Sequence, residues 1–342
     1  MANDAGVSVA TVSYVISKNK YVSPELTRKV QDSIEKLNYF ANPVARSLRN
    51  KKTISIGIVL QNIRNIFFPQ LLAGLEEFLR EKGYNLLFFN TYCDIAVEKK
   101  TIQSLRGMWV DGIILDSCCN ETDKVSYAKF LNQKISGKQI PILLLERNLG
   151  SSSLNAVSID NFSGGYIATK HMISNQRQHI MHIAGNKNWS MSTDRLGGYL
   201  KALQENGMED RQFYRYGGFL PQDGFGIMKE ILDQNHKIDG LFAANDQMAI
   251  GAMKAILEHG LKIPEDIAVV GFDNIFVSSM ISPTLSTINV PKYRIGKTAA
   301  EILINTIENP DTPAENRIIQ TNLIVRQSSD VRGERNWELY GW

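Results

Sequence analysis

The chain has 342 residues, with 38 Lys or Arg against 35 Asp or Glu and a net charge of +3. Its apolar and charged fractions are ordinary for a globular protein, and no apolar run reaches the ~18 residues of a membrane-spanning helix. The length is too great for one compact core and indicates two or three domains. No secretory signal segment marks the amino terminus, so we expect a cytoplasmic protein.

The charge is unevenly distributed along the chain. Residues 1–52 hold nine Lys or Arg and four Asp or Glu, a net charge of +5, so the rest of the chain carries −2. A basic segment joined to a nearly neutral body is expected of a protein that contacts the phosphate backbone of DNA. A solvated basic face has the same composition, so charge alone leaves both interpretations open.

Cysteine and histidine give no metal signature. Cys93, Cys118 and Cys119 form no C-x-x-C pair and have no His at ligand spacing. His179 and His182 lie three residues apart in an expected strand and therefore on opposite faces. We expect buried, reduced thiols, no metal site and no cofactor.

Residues 5–17 predict two helices joined by a tight turn. Gly6 suits the end of a first helix, and the Ser8 hydroxyl can cap the start of a second one. In the second helix the inward positions are Val12, Val15 and Ile16, and the outward positions are Val9, Ala10, Ser13 and Tyr14. This is the pattern of a helix-turn-helix whose second helix enters the DNA major groove. A helical hairpin that touches no DNA is the alternative.

A third helix follows, and after it a short basic segment. Ser23 and Pro24 mark the helix start, and an apolar stripe of Leu26, Val30, Ile34 and Leu37 can close a three-helix domain. The segment 41–49 then offers only about two helical turns, which are marginal alone. Leu48 between arginines suggests an apolar wedge for a DNA minor groove. A plain basic linker is the alternative.

From Ile54 onward, short apolar runs alternate with amphipathic helices such as Pro69–Lys82 and Asp246–His259. The expected strands are Ile54–Leu60, Asn85–Phe89, Gly112–Asp116, Ile140–Leu145, Val157–Asp160, His179–Ala184, Gly240–Ala243 and Ile267–Phe272. This rhythm predicts two α/β subdomains, each a parallel sheet wound on both faces. Ligands of such folds bind at the carboxyl ends of the strands.

Several motifs together resemble the LacI/GalR family of bacterial repressors, from Met1 to about Ser328. They are Gly6–Ser13, Leu37–Tyr39, Asn42–Leu48, Asp111–Ile114, Ala244–Ala252 and Val270–Asp273. The resemblance implies a small all-α helix-turn-helix head at 1–40 and a hinge helix and linker at 41–52. It also implies a periplasmic-binding-protein-like α/β core at 53–330, followed by a tail at 331–342.

The resemblance further implies a homodimer that binds a pseudo-palindromic, double-stranded operator. Matched positions for base reading are Val9, Ala10 and Tyr14, those facing phosphate are Ser8, Thr11 and Ser13, and those of the hinge are Asn42, Arg46 and Leu48. Tyr14 stands where the family usually has Arg, which removes a strong guanine-reading group. The match begins partway through the family's first helix, as a misplaced start site would produce. We expect the shortened helix to leave the inward face of Val12 and Ile16 uncovered and to weaken operator binding.

A small effector, a sugar or sugar phosphate, is expected in a cleft of the core. The matched cleft positions are Phe67, Phe68, Asp160, Arg195, Phe219, Asn245 and Asp273. Trp189 is added because a large aromatic in a polar loop after a strand has no obvious core role. Carboxylate, amide and guanidinium groups can hold hydroxyls while aromatic faces stack on a ring. Structural roles are the alternative for each: helix or loop caps for Asn245 and Asp273, core positions for Phe68 and Phe219.

Two other functions are compatible with an α/β core. A transporter's solute-binding protein shares the core architecture but needs a signal peptide and no basic head. An α/β enzyme is disfavoured because no G-x-G-x-x-G after a strand, P-loop, G-x-S-x-G or convincing Ser/His/Asp set is present. The sequence therefore predicts a transcriptional regulator, a repressor of carbohydrate genes that is not an enzyme.

Overall fold

The computed structural model describes residues 1–17, 19–39, 53–134, 139–147, 149–150 and 153–334. Its contacts divide the chain into two compact units, Met1–Ile54 and Ser55–Trp342. The expected hinge segment, with Asn42, Arg46 and Leu48, lies outside the described residues. None of the described helices combines the length and the apolar character that crossing a membrane requires.

The described residues of the first unit form three short helices: α1 (Ala2–Ala5), α2 (Val9–Ser17) and α3 (Pro24–Lys36). Gly6 ends α1 with φ 65°, a left-handed conformation that favours glycine. Ser23 caps α3 by accepting a hydrogen bond from the amide of Leu26, with Pro24 in the first turn. The predicted turn and cap chemistry is therefore present at both helix boundaries.

A small apolar core joins these helices. Ala5, Val12 and Val30 are buried at its centre, and Val15, Ile16 and Ile34 pack around them. The expectation that the short first helix leaves the inward face of Val12 and Ile16 uncovered is wrong for Val12, which is only 7% exposed, while Ile16 is half-buried. Leu37, expected on the inward stripe, is 46% exposed, because α3 ends at Lys36 and Leu37 follows as its cap residue.

The second unit alternates strands and helices. Its first half contains β1 (Ser55–Leu60), α4 (Phe68–Glu81), β2 (Asn85–Asn90), α5 (Ile95–Gly107), β3 (Gly112–Leu115), α6 (Lys124–Leu131), β4 (Ile142–Glu146) and β5 (Asn155–Ile159). Then come α7 (Asn161–Ser174), β6 (Ile180–Ala184), α8 (Ser190–Glu205), β7 (Phe213–Tyr216), α9 (Pro221–Asp233), β8 (Gly240–Ala243), α10 (Asp246–Glu258), β9 (Ala268–Asp273) and β10 (Ser286–Asn289). The last elements are α11 (Lys292–Glu308), β11 (Asn316–Ile319) and β12 (Asn322–Ile324).

The strands form two six-stranded sheets. The first has the order β11-β5-β4-β3-β1-β2 and is parallel, and the second has the order β12-β10-β9-β8-β6-β7 with only β12 antiparallel to its neighbour. The chain passes to the second sheet after β5, returns to the first after β10, and passes over again after β11. The predicted fold class, a helical head followed by two parallel α/β subdomains, is confirmed.

Pairs of helices cross at glycines in this unit. A Cβ atom at Gly165 of α7 would lie 2.2 Å from the carbonyl oxygen of Arg195 in α8, and one at Gly198 of α8 would lie 2.1 Å from that of Phe162 in α7. These glycines allow the backbones of α7 and α8 to come into contact. The contact fixes the position of Arg195, which lies on α8, relative to α7.

The burial of the three cysteines agrees with the expectation except at one position. Cys118 and Cys119 are buried and free, as expected, but the free thiol of Cys93 is exposed. Burial raises the pKa of the Cys119 thiol to about 11. Cys93 follows β2 at the carboxyl edge of the first sheet, which is open to solvent, and this explains its exposure.

Candidate functional site

The helix-turn-helix unit presents a small outer face. The Ser8 hydroxyl accepts a hydrogen bond from the amide of Thr11 at 3.0 Å and also pairs with the Thr11 hydroxyl at 2.9 Å, which caps α2. Val9 is 76% exposed and Ala10 is also exposed, while Ser13 and Tyr14 are half-buried. The structure thus brings the six described residues of the expected DNA-contacting set to the first two turns of one helix and its cap.

A cation stands beside the half-buried Tyr14 on this face. The Lys20 ammonium lies 5.3 Å from the centre of the Tyr14 ring.

The first helix is tied to the third one through Asp4, which accepts hydrogen bonds from Ser33 at 2.8 Å and Lys36 at 2.6 Å. These bonds hold the pKa of the Asp4 carboxyl below its usual range and tie α1 to α3.

The second unit has a cleft of about 550 Å³, including its open mouth, where the carboxyl ends of both sheets meet. It is lined by Gln61, Asn62, Asn65, Phe67, Phe68, Cys93, Glu146, Trp189, Met191, Arg195, Gly218, Phe219, Leu220, Asn245 and Asp273. Seven of the eight expected cleft residues are in this set. Asp160 is not: its carboxylate accepts a hydrogen bond from the amide of Ser163 at 3.0 Å and caps α7.

Arg195 and Asp273 form the charged centre of the cleft. Both are almost fully buried, and Nη2 of Arg195 lies 3.8 Å from Oδ1 of Asp273. The guanidinium also donates to Oδ1 of Asn161 at 2.8 Å and to the carbonyl of Ala244, and it stacks 3.6 Å above the Phe272 ring. It is therefore held rigidly on its neighbours while one edge faces the carboxylate.

Burial controls the ionisation of the cleft carboxyl groups. It raises the pKa of Asp273 to about 7, although Arg195 acts in the opposite direction. Burial, with the nearby charges of Asp116 and Asp273, also raises the pKa of Glu146. The cleft therefore holds acidic groups that can be protonated when it is empty and can accept hydrogen bonds from a ligand once ionised.

Aromatic rings form one wall. The rings of Trp189 and Phe219 are stacked, 5.6 Å apart with an interplanar angle of 14°. Gly185 makes room for this stack, because a Cβ atom there would lie 2.0 Å from the Phe219 ring. Phe67 and Phe68 contact each other edge to face at 5.6 Å.

Asn245 combines a place on the cleft wall with a structural role. Its amide oxygen accepts from the amide of Met248 at 2.9 Å and so caps α10. Its amide nitrogen donates to the carbonyl of Phe219 at 3.0 Å. This residue therefore joins the aromatic wall to the helix start.

Sequence reasoning missed four polar residues that line the cleft, and also Arg147, which lies beside Trp189 of the aromatic wall; the four are Gln61, Asn62, Asn65 and Glu146. Gln61 directly follows β1 and Glu146 ends β4, so the rule that ligands bind at the carboxyl ends of parallel strands could have found both. The Arg147 guanidinium lies 4.6 Å from the Trp189 ring and donates to the carbonyl of Cys119. Within the described ranges, Nε and Nη2 of Arg147 and Oε1 of Gln61 are buried without a hydrogen-bond partner.

Comparisons with known proteins agree with this architecture. Residues 1–42 match the family model described as "Bacterial regulatory proteins, lacI family", and residues 169–329 match a periplasmic binding protein-like domain. The chain is 34% identical to the HTH-type transcriptional repressor PurR of Histophilus somni (strain 129Pt), over 96% of this chain and 97% of that one. It is also 34% identical to the ribose operon repressor of Halalkalibacterium halodurans, over 99% of this chain and 98% of the relative.

Solved structures show the same likeness. The lac repressor dimer bound to operator and the anti-inducer ONPF superimposes with a TM-score of 0.87 at 26% identity, covering 96% of this chain and 97% of that one. A LacI family transcriptional regulator from Enterococcus faecium with bound ribose gives a TM-score of 0.70 at 26% identity, over 80% of this chain and 98% of that one. With a helix-turn-helix head, a two-sheet core and full-length relatives above 30% identity, the chain belongs to the lacI family of DNA-binding transcriptional repressors.

Proposed function

We propose that this protein acts in the cytoplasm as a homodimeric repressor of carbohydrate-utilisation genes. Its outward α2 residues read a pseudo-palindromic operator, and the hinge segment 41–49 adds a minor-groove contact. A sugar bound in the cleft between the two sheets changes the operator affinity. Two exposed small side chains on α2, Val9 and Ala10, support major-groove docking because they allow close approach to base edges.

One observation carries the effector part of the proposal: a residue that lines the cleft has a buried polar atom without a partner, close to aromatic faces. In the part of the chain that the structure describes, Oε1 of Gln61, in the cleft lining, lacks a donor, and two nitrogens of Arg147, which lies next to Trp189, lack an acceptor. Buried polar groups normally have partners, so a ligand with several hydroxyl groups would complete this set. The rings of Trp189 and Phe219 offer a flat surface on which a sugar ring can stack.

The charge of the cleft favours an uncharged sugar over a sugar phosphate. Glu146 and Asp273 both line it, and each would repel a phosphate group once ionised. Arg195 is already engaged with Asn161, Ala244 and Asp273. The ribose named for one relative and for one structural neighbour makes D-ribose the first compound to try.

Isothermal titration calorimetry of the full chain tests this proposal. The panel contains D-ribose, other pentoses and hexoses, and their phosphates. We expect an uncharged sugar to bind with 1:1 stoichiometry per chain. Binding of none of these sugars would contradict the sugar proposal, and binding only of phosphates would contradict the charge argument.

The Asp273→Ala variant assigns the binding to the cleft. Removing one buried partner of a ligand hydroxyl costs about 1–3 kcal/mol, so the affinity should fall about ten- to a hundredfold. Unchanged affinity in a correctly folded variant would show that the ligand binds elsewhere.

A further inference from the structure

The cleft carboxylate of Asp273 comes from a backbone turn that needs outside support. Asp273 has φ 106° and the next residue, Asn274, has φ 52°. Non-glycine residues rarely adopt this region and persist in it only when the surroundings hold them. The turn directs the Asp273 side chain into the cleft wall. A residue that holds the turn in this conformation therefore also fixes where the Asp273 carboxylate can contact a ligand.

The buried ammonium of Lys292 contacts this turn directly. Lys292 is 3% exposed, and its Nζ donates to the carbonyl oxygens of Asp273 at 2.5 Å, Asn274 at 2.8 Å and Val290 at 3.2 Å. Three carbonyl acceptors match the three protons of an ammonium group. Burying a cation is costly unless such bonds replace its water, so the carbonyls must stay where they are for Lys292 to remain buried.

Lys292 also lies where the chain passes between the subdomains. It is the first residue of α11, which packs on α4, whereas Asp273 ends β9 in the other sheet. The α4–α11 contact is close, since a Cβ atom at Gly296 would lie 1.9 Å from the carbonyl oxygen of Leu71. The ammonium therefore ties the Asp273 turn of one subdomain to a helix fixed on the other.

We propose that Lys292 is a positioning residue for effector binding: its ammonium group holds the Asp273–Asn274 turn so that the Asp273 carboxylate faces the ligand. This inference rests on the proposed function, because it matters for binding only if Asp273 contacts the effector.

The charges around Asp273 give Lys292 a second, measurable effect. The carboxyl group is influenced by Arg195 on α8, Asp246 on α10, Lys292 on α11 and Glu146 at the end of β4. Arg195 and Lys292 lower the Asp273 pKa, while burial and Asp246 raise it. Loss of the Lys292 charge should therefore raise this pKa, and a ligand that needs the ionised carboxylate would bind well only at higher pH.

Three full-length variants test the proposal. Lys292→Met removes the charge but keeps a long side chain, and Lys292→Arg keeps the charge and the donors. Tyr199→Phe is the matched control, because the Tyr199 hydroxyl bonds the carbonyls of Ile180 and Phe213 in the same subdomain, away from the turn. The measurements are D-ribose titrations between pH 5.5 and 8.5, thermal unfolding, and a crystal structure of Lys292→Met.

We expect Lys292→Met to weaken D-ribose binding ten- to a hundredfold at pH 7, with the midpoint of the affinity–pH profile shifted upward. Lys292→Arg should stay within about threefold of the unsubstituted chain. Tyr199→Phe should lower the unfolding temperature without moving the affinity or the pH midpoint. A purely structural role for Lys292 predicts instead that Lys292→Met lowers stability alone, and that result would overturn the proposal.

The crystal structure separates this inference from the proposed function. If D-ribose binds no form of the protein, the choice of sugar fails, yet the structure of Lys292→Met still decides the role of the ammonium. A turn in which Asp273 and Asn274 have left the positive-φ region supports the positioning role. A turn unchanged from the one described contradicts it, whatever the effector.

Discussion

Asp273 is a residue at which stability and ligand binding compete. Its carboxyl group is almost fully buried, and burial raises its pKa to about 7, well above the value in an unfolded chain. The folded chain therefore holds this proton more tightly than the unfolded chain does. The free energy of unfolding of the empty protein should consequently fall as the pH rises from about 4 to about 7, where the proton is lost.

The Asp273→Asn substitution should remove the loss of stability with rising pH, because an amide stays neutral. Asn also tolerates the positive φ at this position. At pH 8 we expect the empty variant to be more stable by about 1–3 kcal/mol, with a smaller difference near pH 5. Denaturant unfolding of both proteins at the two pH values measures this. A variant that is less stable at pH 8 would show that the ionised carboxylate is stabilised in the fold.

Trp189 offers a spectroscopic test of the aromatic wall. A sugar that stacks on the wall formed by the Trp189 and Phe219 rings, which lie 5.6 Å apart, should change the surroundings of the indole, so the Trp189 emission should change on binding. The chain has four tryptophans, so the measurement is the change that disappears in Trp189→Phe. A ligand-induced change that persists in full would restrict Trp189 to a structural role beside Arg147.

The residues that sequence reasoning placed in the cleft differ in how far their roles follow from type alone. Arg195 and Asp273 were placed in the cleft through their match to family positions, and the structure brings them together in its lining, while their ligand role stays a prediction. Asn245 and Asp160 also carry polar groups that can bind a ligand, but their side chains cap helices. The sequence does not distinguish a helix cap from a ligand contact. Arg147 was missed because an arginine after a strand is usually solvent-exposed, and only the packing on Trp189 explains its burial.

At the scale of elements, the helix crossings depend on glycines. Gly198→Ala should destabilise the fold by about 1–3 kcal/mol, because the added methyl group would overlap the α7 backbone near Phe162. Gly226→Ala in α9 is the matched control: no atom lies within 4 Å of its Cβ position, and helix propensity predicts a gain of about 0.5–1 kcal/mol. Thermal and denaturant unfolding compare the two. Equal changes in stability for the two variants would show that α7 and α8 can move apart and accommodate the methyl group at no cost.

The strands foreseen from sequence are those with continuous apolar runs. The four that were missed, β7, β10, β11 and β12, lie at or next to sheet edges or carry polar residues. In β10, for example, Ser286 and Thr287 are fully buried, but the hydroxyl of Thr287 donates to Asp246 and that of Ser286 to the carbonyl of Arg326. Such a strand is stabilised by partners distant in sequence, so no local hydrophobic signal reveals it.

At the scale of the whole molecule, the segment 41–49 is predicted to act as a hinge that adds a contact to DNA. It lies outside the described residues, so its prediction rests on sequence: an isolated two-turn helix should fold only on DNA, with Leu48 entering the minor groove. Leu48→Ala should lower operator affinity about tenfold or more while binding to random DNA stays nearly unchanged. Equal losses on both DNAs would argue against a wedge and for a basic linker.

The central claim is that a ligand in the cleft controls operator binding. The direct measurement is a fluorescence anisotropy titration, at one fixed salt concentration, of an operator selected from random DNA by the full chain. We predict preference for a pseudo-palindromic sequence and at least a tenfold change in its affinity with saturating D-ribose, a change that is absent in Asp273→Ala. Operator affinity that is the same with and without a ligand bound in the cleft would contradict the account.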